Sequence, residues 1–117
     1  RVVICKSPDG STCAGSGNWN QGWIVFADLD NSGSINGGEQ IITAMPALST
    51  GFSFSGNTHV SSYISYDALG MTKLTSGGFQ SGTMTLCPAA PAVAGNGREI
   101  ILSSSGRSRI AKITTCS

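Results

Sequence analysis

The sequence contains little charge and no long apolar segment. Only 11% of its 117 residues are Asp, Glu, Lys or Arg, compared with about 25% in an average soluble domain. No run approaches the roughly 18 consecutive apolar residues of a transmembrane helix, and no secretory signal pattern is present. This composition excludes a helical bundle, which needs Ala, Leu, Glu and Lys for helix propensity and for a charged surface.

Catalytic signatures are also missing. The sequence has no G-x-S-x-G elbow, no Walker loop and no complete G-x-G-x-x-G fingerprint. Its one histidine, His59, has no assignable acid to orient it toward a serine, so a loop histidine is a better interpretation than a catalytic triad. We therefore expect a protein that is not an enzyme and has no cofactor.

The chain is rich in turn formers that separate short β-like runs. Glycine and serine together make 34 of the 117 residues. The nine β-like runs recur at a spacing of roughly 10 residues, which is typical of antiparallel sheets around one core. Residues 88–97 predict a loop because they hold two prolines and two glycines. We expect one domain over residues 1–117. The predicted strands cover residues 2–5, 22–27, 40–45, 52–54, 60–66, 70–74, 83–87, 99–103 and 109–115.

Four cysteines, Cys5, Cys13, Cys87 and Cys116, occur without a C-x-x-C pair. This spacing favours disulfides in an oxidising compartment over a zinc site, and it leaves three pairings open. A Pro-Asp-Gly turn at residues 8–10 favours Cys5 with Cys13. The remaining pair, Cys87 with Cys116, would anchor the C-terminal segment.

One acidic segment resembles a calcium-binding loop. Asp28, Asp30, Ser32, Gly33 and Glu39 occupy positions 1, 3, 5, 6 and 12 of the EF-hand pattern, and hard cations prefer such oxygen ligands. The flanking runs predict strands, however, whereas an EF-hand loop joins helices. The alternative is a polar hairpin connection in which Asp, Asn and Gly supply turn geometry.

The densest aromatic cluster contains Trp19 and Trp23, next to Ile24 and Phe26. Strand alternation puts Trp23 on one face and Ile24 with Phe26 on the other, so this strand is expected to be buried on both sides. Exposed tryptophans can stack on bases or sugars, but core packing is the commoner use of Trp beside a β-branched run. We interpret both tryptophans as structural.

Positive charge is concentrated near the C-terminus. Residues 98–117 carry Arg98, Arg107, Arg109 and Lys112 against one acidic residue, Glu99, for a net charge of +3, whereas residues 1–40 have a net charge of −2. Such asymmetry attracts anionic partners. The alternative is a hairpin loop that is merely solvated by its charges.

The sequence Gly106-Arg107-Ser108-Arg109 is the best candidate for binding chemistry. In an extended chain both arginines point to one side. Two guanidinium groups beside a glycine suit phosphate, because arginine binds phosphate in a bidentate manner and glycine allows close backbone approach. Lys112 extends the basic segment.

Several blocks, taken in order, resemble the globular domain of the GspH/FimT minor pilins. They are the Cys5–Cys13 loop, W-x-x-G-W-I-V-F-x-D at residues 19–28, G-T-M-T-L-C at residues 82–87 and R-E-I-I-L-S-x-x-G-R-x-R at residues 98–109. The resemblance implies a mainly β head with two antiparallel sheets that normally follows a long N-terminal helix. That helix is absent from this sequence, so we expect a soluble fragment.

The resemblance also implies location and partners. Family members are anchored in the inner membrane through the helix, face the periplasm before assembly, and then reach the pilus or cell surface with other minor and major pilins. Their acidic turn corresponds to residues 28–39, which favours the hairpin interpretation over a metal site.

In the FimT branch, a G-R-x-R motif is associated with DNA capture for natural transformation, and it maps onto Gly106, Arg107 and Arg109. The leading hypothesis is a type IV pilus minor pilin whose C-terminal loop binds the phosphates of double-stranded DNA. The alternative is a structural minor pilin, or a type II secretion pseudopilin, that primes assembly at a filament tip without binding DNA.

Overall fold

The computed structural model describes residues 1–48, 51–88 and 97–113. Two short 3-10 turns, Trp19–Gln21 and Thr58–Val60, interrupt the strands. Within the described residues no helix is long and apolar enough to cross a bilayer. The strands are β1 (Val2–Lys6), β2 (Trp23–Ala27), β3 (Ile41–Met45), β4 (Phe52–Gly56), β5 (Tyr63–Tyr66), β6 (Gly82–Pro88), β7 (Gly97–Leu102) and β8 (Ser108–Ile113).

The strands form two four-stranded sheets in which every pairing is antiparallel. Sheet A has the order β3-β2-β1-β5, and sheet B has the order β4-β6-β7-β8. The prediction of a mainly β fold with two packed antiparallel sheets is therefore confirmed.

Two predicted strands differ from the observed ones. Residues 70–74 form only the isolated bridges Tyr66 to Thr72 and Lys73 to Phe79, because turns before and after them leave too few residues for a ladder. The predicted strand at residues 60–66 begins only at Tyr63, since Thr58–Val60 forms a 3-10 turn that buries Val60. Residues 89–96 of the predicted loop and residues 114–115 of the last predicted strand lie outside the described residues.

The main core lies between the facing sides of the two sheets. Trp19 is 1% exposed, and its indole Nε1 donates a 2.9 Å hydrogen bond to the Val60 carbonyl. This bond satisfies the polar atom of a buried tryptophan, so the structural interpretation of Trp19 is confirmed. The buried members of this core are Trp19, Phe54, Val60, Ile64, Met84 and Leu102.

A second apolar cluster covers the opposite face of sheet A. It contains Val3, Cys5, Ile24 and Phe26, with Ile35 of the acidic segment packed on it. Strand β2 therefore contributes to both clusters, as its sequence predicts. Its main-core face is only half-buried, because Trp23 retains some exposure while packing edge-to-face on Phe54 at a centroid distance of 5.9 Å.

The predicted bridge between Cys5 and Cys13 is present, with Cα atoms 5.6 Å apart. It closes the loop that follows β1 and lies beside the second apolar cluster. Cys87 is not a free thiol. Its predicted partner, Cys116, lies outside the described residues.

A buried glutamine joins the segments around residues 59–80. The Gln80 side chain accepts a hydrogen bond from the Ser65 amide and donates to the carbonyls of His59 and Tyr63, at 2.7–2.9 Å. These bonds satisfy the polar atoms of a side chain that has no exposed surface. His59 itself is exposed in the 3-10 turn, as expected for a loop histidine.

Candidate nucleic-acid interface

The segment with G-R-x-R lies at the tip of the β7–β8 hairpin, called here the arginine hairpin (residues 97–113). Its turn is closed by hydrogen bonds from the Gly106 amide to the Ser103 carbonyl, 3.0 Å, and from the Ser103 amide to the Arg107 carbonyl, 2.9 Å. Gly106 has a φ of +85°, a conformation that residues with a Cβ rarely adopt. The local sequence therefore builds a tight turn that only glycine fits without strain.

A second contact fixes the hairpin tip against the turn that follows β5. A Cβ added to Gly106 would overlap the Gly70 carbonyl oxygen, so the two backbones are in close contact. Beside it, the single proton of the Thr72 hydroxyl is shared between the Gln80 carbonyl, at 2.7 Å, and the Ser103 carbonyl, at 3.0 Å. The glycine of the motif thus has a packing role besides its turn geometry.

Arg107 and Arg109 are both exposed and line one shallow depression of about 230 Å³ with Ile101, Ser103 and Ser108. Their predicted placement on the same side is confirmed. In the described part of the chain the single ion pair joins Lys73 to Asp67, so neither guanidinium group has an acidic partner there. Both groups are available to an anion.

Lys112 does not join this pair. The register sets Arg109 opposite Ile101 and Lys112 opposite Arg98. Because side chains alternate along a strand, Arg109 and Lys112 point to opposite faces of sheet B. The basic segment therefore presents two separate pairs, Arg107 with Arg109 and Arg98 with Lys112.

The acidic segment does bring its carboxylates together. One oxygen each of Asp28, Asp30 and Glu39 lie within 4.8 Å of one another. Ser32, the other predicted ligand, donates its hydroxyl to the Ser34 carbonyl at 2.8 Å. The three acids are thus grouped, and the serine hydroxyl is engaged within the loop.

Each carboxylate in this group already accepts hydrogen bonds from the loop. Asp28 accepts the amides of Ser32 and Gly33, and Glu39 accepts the amides of Leu29 and Asn36, at 2.7–3.2 Å. This is the bonding of a polar turn that caps β2, which the alternative interpretation predicts.

The same loop shifts the pKa values of two of its acids in opposite directions. Burial raises the pKa of Asp28, although the Gly33 amide opposes this. The pKa of Asp30 is held well below its usual range by hydrogen bonds from the Asn36 amide group and from Ser32. Two acids in one turn thus differ because one is buried and the other is solvated and hydrogen-bonded.

The structure adds residues that the motif does not include. Residues 67–80 lie directly beside the arginine hairpin, through Gly70 and Thr72. In the sequence residues 70–74 predict an ordinary strand, so no local pattern indicates the contact. Turn signals on either side of that strand, Asp67 with Gly70 and Ser76-Gly77-Gly78, mark chain reversals but not what the chain reverses against.

Comparison with protein families matches the chain to the type II transport protein GspH over residues 1–106. Comparison with curated proteins and with solved structures finds no significant match. The family match ends one residue before Arg107, so it covers strands β1 to β7 and the turn glycine but neither β8 nor the two arginines of the motif. GspH proteins are structural pilins or pseudopilins of type II secretion or type IV pili, membrane-anchored in the periplasm or pilus. The chain belongs to the GspH family.

Proposed function

We propose that this chain is the head domain of a type IV pilus minor pilin that binds the DNA backbone and contributes to DNA uptake in natural transformation. The observation that carries the proposal is the pair of exposed arginines, Arg107 and Arg109, that line one depression at the hairpin tip. In this role the head faces the periplasm before assembly and is then displayed on the pilus with other minor and major pilins.

Arginine chemistry supports a phosphate ligand. A guanidinium group presents paired N–H donors that match two phosphate oxygens, and both arginines line one depression. Contacts of this kind do not depend on base sequence and weaken with salt. Two phosphate contacts give weak binding by one head, so several heads along a filament would raise the apparent affinity.

The test measures binding of a fluorescently labelled DNA duplex by anisotropy over a range of salt concentrations. We expect the logarithm of the affinity to fall against the logarithm of salt with a slope of about −2, for two phosphates neutralised. The double variant Arg107→Ala, Arg109→Ala should weaken binding at low salt by about 10-fold or more, because it removes both charged donors.

A matched control distinguishes the loss of a defined binding site from the loss of net positive charge. The double variant Arg98→Ala, Lys112→Ala removes the same charge from the opposite face of the same hairpin. It should change duplex binding by less than about twofold if the depression is the site. An equal loss in both double variants, or unchanged binding without Arg107 and Arg109, would refute the proposal.

A structural role without DNA binding is the second candidate function. An open apolar cleft of about 190 Å³ lies between the sheets, lined by residues such as Ile4, Trp23 and Ile100. Ile110, at 73% exposure, lies next to it on β8. Exposed apolar surface of this kind marks protein contacts, which a filament-tip minor pilin or pseudopilin requires.

These two functions give different results in one pair of experiments. Under the structural alternative, NMR titration with duplex DNA leaves the Gly106 region unshifted, whereas Ile110→Asp abolishes capture of other minor pilins by the protein. Under the DNA hypothesis, the shifts centre on Arg107 and Arg109 and are lost in their double alanine variant.

A further inference from the structure

Phe79 is an exposed aromatic residue on a tight hairpin. Its ring side chain is 61% exposed, which is unusual for phenylalanine because burying an aromatic side chain is strongly favourable. The backbone beneath it is fixed by the Lys73 to Phe79 bridge and by a 2.7 Å hydrogen bond from the Leu74 amide to the Gly78 carbonyl. We call residues 72–80 the Phe79 hairpin.

Lys73 lies over this ring. Its Nζ is 5.9 Å from the ring centroid and 3.4 Å from a carboxylate oxygen of Asp67. Asp67 is itself held by the amides of Leu69 and Met71, at 2.9 and 3.0 Å. The cation–π contact and the ion pair together orient the ring, and Asp67 compensates the lysine charge, so this group supplies an oriented aromatic surface rather than a further cation.

The Phe79 hairpin is next to the arginine hairpin. Thr72, the residue before Lys73, donates its hydroxyl to the Ser103 carbonyl at 3.0 Å. Gly106 lies against Gly70 on the turn that leads into the Phe79 hairpin. The same Thr72 hydroxyl lies 2.7 Å from the carbonyl of Gln80, the residue after Phe79. The Phe79 hairpin and the arginine hairpin therefore meet at this side chain, and one extended strand that contacts both hairpins would cross this junction.

An aromatic surface beside phosphate-binding arginines is the combination that single-stranded nucleic acid requires. Unpaired bases stack on aromatic rings whatever their sequence, whereas bases inside a duplex are stacked on one another and do not reach such a ring. We propose that Phe79 is a base-stacking residue of the Arg107 and Arg109 site, so that the chain binds single-stranded DNA more tightly than duplex DNA. This inference rests on the proposed function, and it names the form of DNA that the site prefers.

The experiment compares three DNA probes of equal length: oligothymidylate, an abasic oligonucleotide with the same phosphates, and a duplex. The wild-type chain should bind oligothymidylate about fivefold or more tightly than the abasic probe, the low end of one stacked base. It should also bind oligothymidylate more tightly than the duplex. Anisotropy at one low salt concentration measures all three affinities.

Variants then test whether Phe79 is the residue on which the base stacks. Phe79→Ala should remove the advantage of oligothymidylate while leaving abasic binding within about twofold, because the phosphate contacts remain. Phe79→Tyr keeps a ring and should keep the advantage. The matched control is Phe52→Ala, since Phe52 is also exposed, at 42%, but lies at the Pro88 end of sheet B, away from the arginine hairpin tip. Circular dichroism confirms that each variant is folded.

The three probes distinguish a failure of the stacking role from a failure of DNA binding itself. Equal wild-type affinity for oligothymidylate and the abasic probe overturns the stacking role while DNA binding stands. The same conclusion follows if Phe79→Ala weakens both single-stranded probes equally, if Phe79→Tyr loses the advantage, or if Phe52→Ala removes it. An absence of binding to all three probes overturns the proposed function itself, and the stacking role with it.

Discussion

Replacing Gly106 by alanine tests the contact that positions the arginine hairpin. The residue has a φ of +85°, and the added Cβ would overlap the Gly70 carbonyl oxygen. The left-handed backbone costs about 1–2 kcal/mol for alanine. Relief of the overlap moves the hairpin tip away and breaks the hydrogen bond from Thr72 to Ser103, which contributes about 1 kcal/mol.

The expected loss in the free energy of unfolding is therefore about 2–3 kcal/mol, which lowers Tm by about 10 °C in a domain of this size. Urea denaturation followed by tryptophan fluorescence measures it. Because the movement displaces Arg107, the same variant should also weaken binding of labelled duplex DNA if the depression binds phosphate.

Alanine substitutions at two other glycines serve as controls that separate the cost of backbone strain from the cost of the overlap with Gly70. Gly38 has a φ of +88° but open space where a methyl group would be added, and Gly37 has neither a positive φ in that range nor a neighbour within 4 Å. Gly38→Ala should cost only the backbone strain, about 1–2 kcal/mol, and Gly37→Ala should change stability by less than about 0.5 kcal/mol. If Gly106→Ala is no more destabilising than Gly38→Ala, the close contact with Gly70 does not exist, and the predicted steric contribution at Gly106 is refuted.

Two further predictions concern stability. Trp19→Phe should cost about 1–3 kcal/mol in urea denaturation, because it leaves the buried Val60 carbonyl without its 2.9 Å donor; an unchanged midpoint would contradict this. Desolvation opposes ionisation of Asp67, but hydrogen bonds from the Leu69 and Met71 amides, together with the Lys73 ammonium group, outweigh it and lower the pKa from its ordinary value of 3.8. The ionised Asp67 side chain therefore stabilises the fold above pH 3.8, and this stabilisation is lost as pH falls through the native pKa. The urea midpoint of the wild-type chain should exceed that of Asp67→Asn, and the difference should shrink on acidification. An advantage that is independent of pH would refute the assignment.

The fold follows from the sequence where the local pattern is strong. Short apolar runs between Gly, Ser and Asn predict most of the strands, and the Pro-Asp-Gly turn correctly predicts the Cys5–Cys13 bridge. The run at residues 70–74 is misleading because its β-like composition is confined between two turns, which leave only isolated bridges.

The candidate site could be predicted only in part. Alternation along one strand is a local rule, so the common side of Arg107 and Arg109 follows from their spacing. The same rule separates Lys112 from them, because it lies an odd number of positions, three, beyond Arg109. The position of Phe79 beside the arginine hairpin depends on the contact between Thr72 and Ser103, which are 31 positions apart. Composition and periodicity do not predict a contact between residues so far apart in the chain.

The contact between Gly106 and Gly70 also determines how the hairpin would bear a mechanical load. Strand β8 is at the edge of sheet B, with β7 as its neighbour, so a pull on its free side would open its ladder one hydrogen bond at a time. The tip, however, is held at the turn after β5 as well, through the Thr72 hydroxyl. If DNA binds at Arg107 as proposed, tension on the bound strand would reach the turn after β5 as well as β7, because the hairpin tip contacts both.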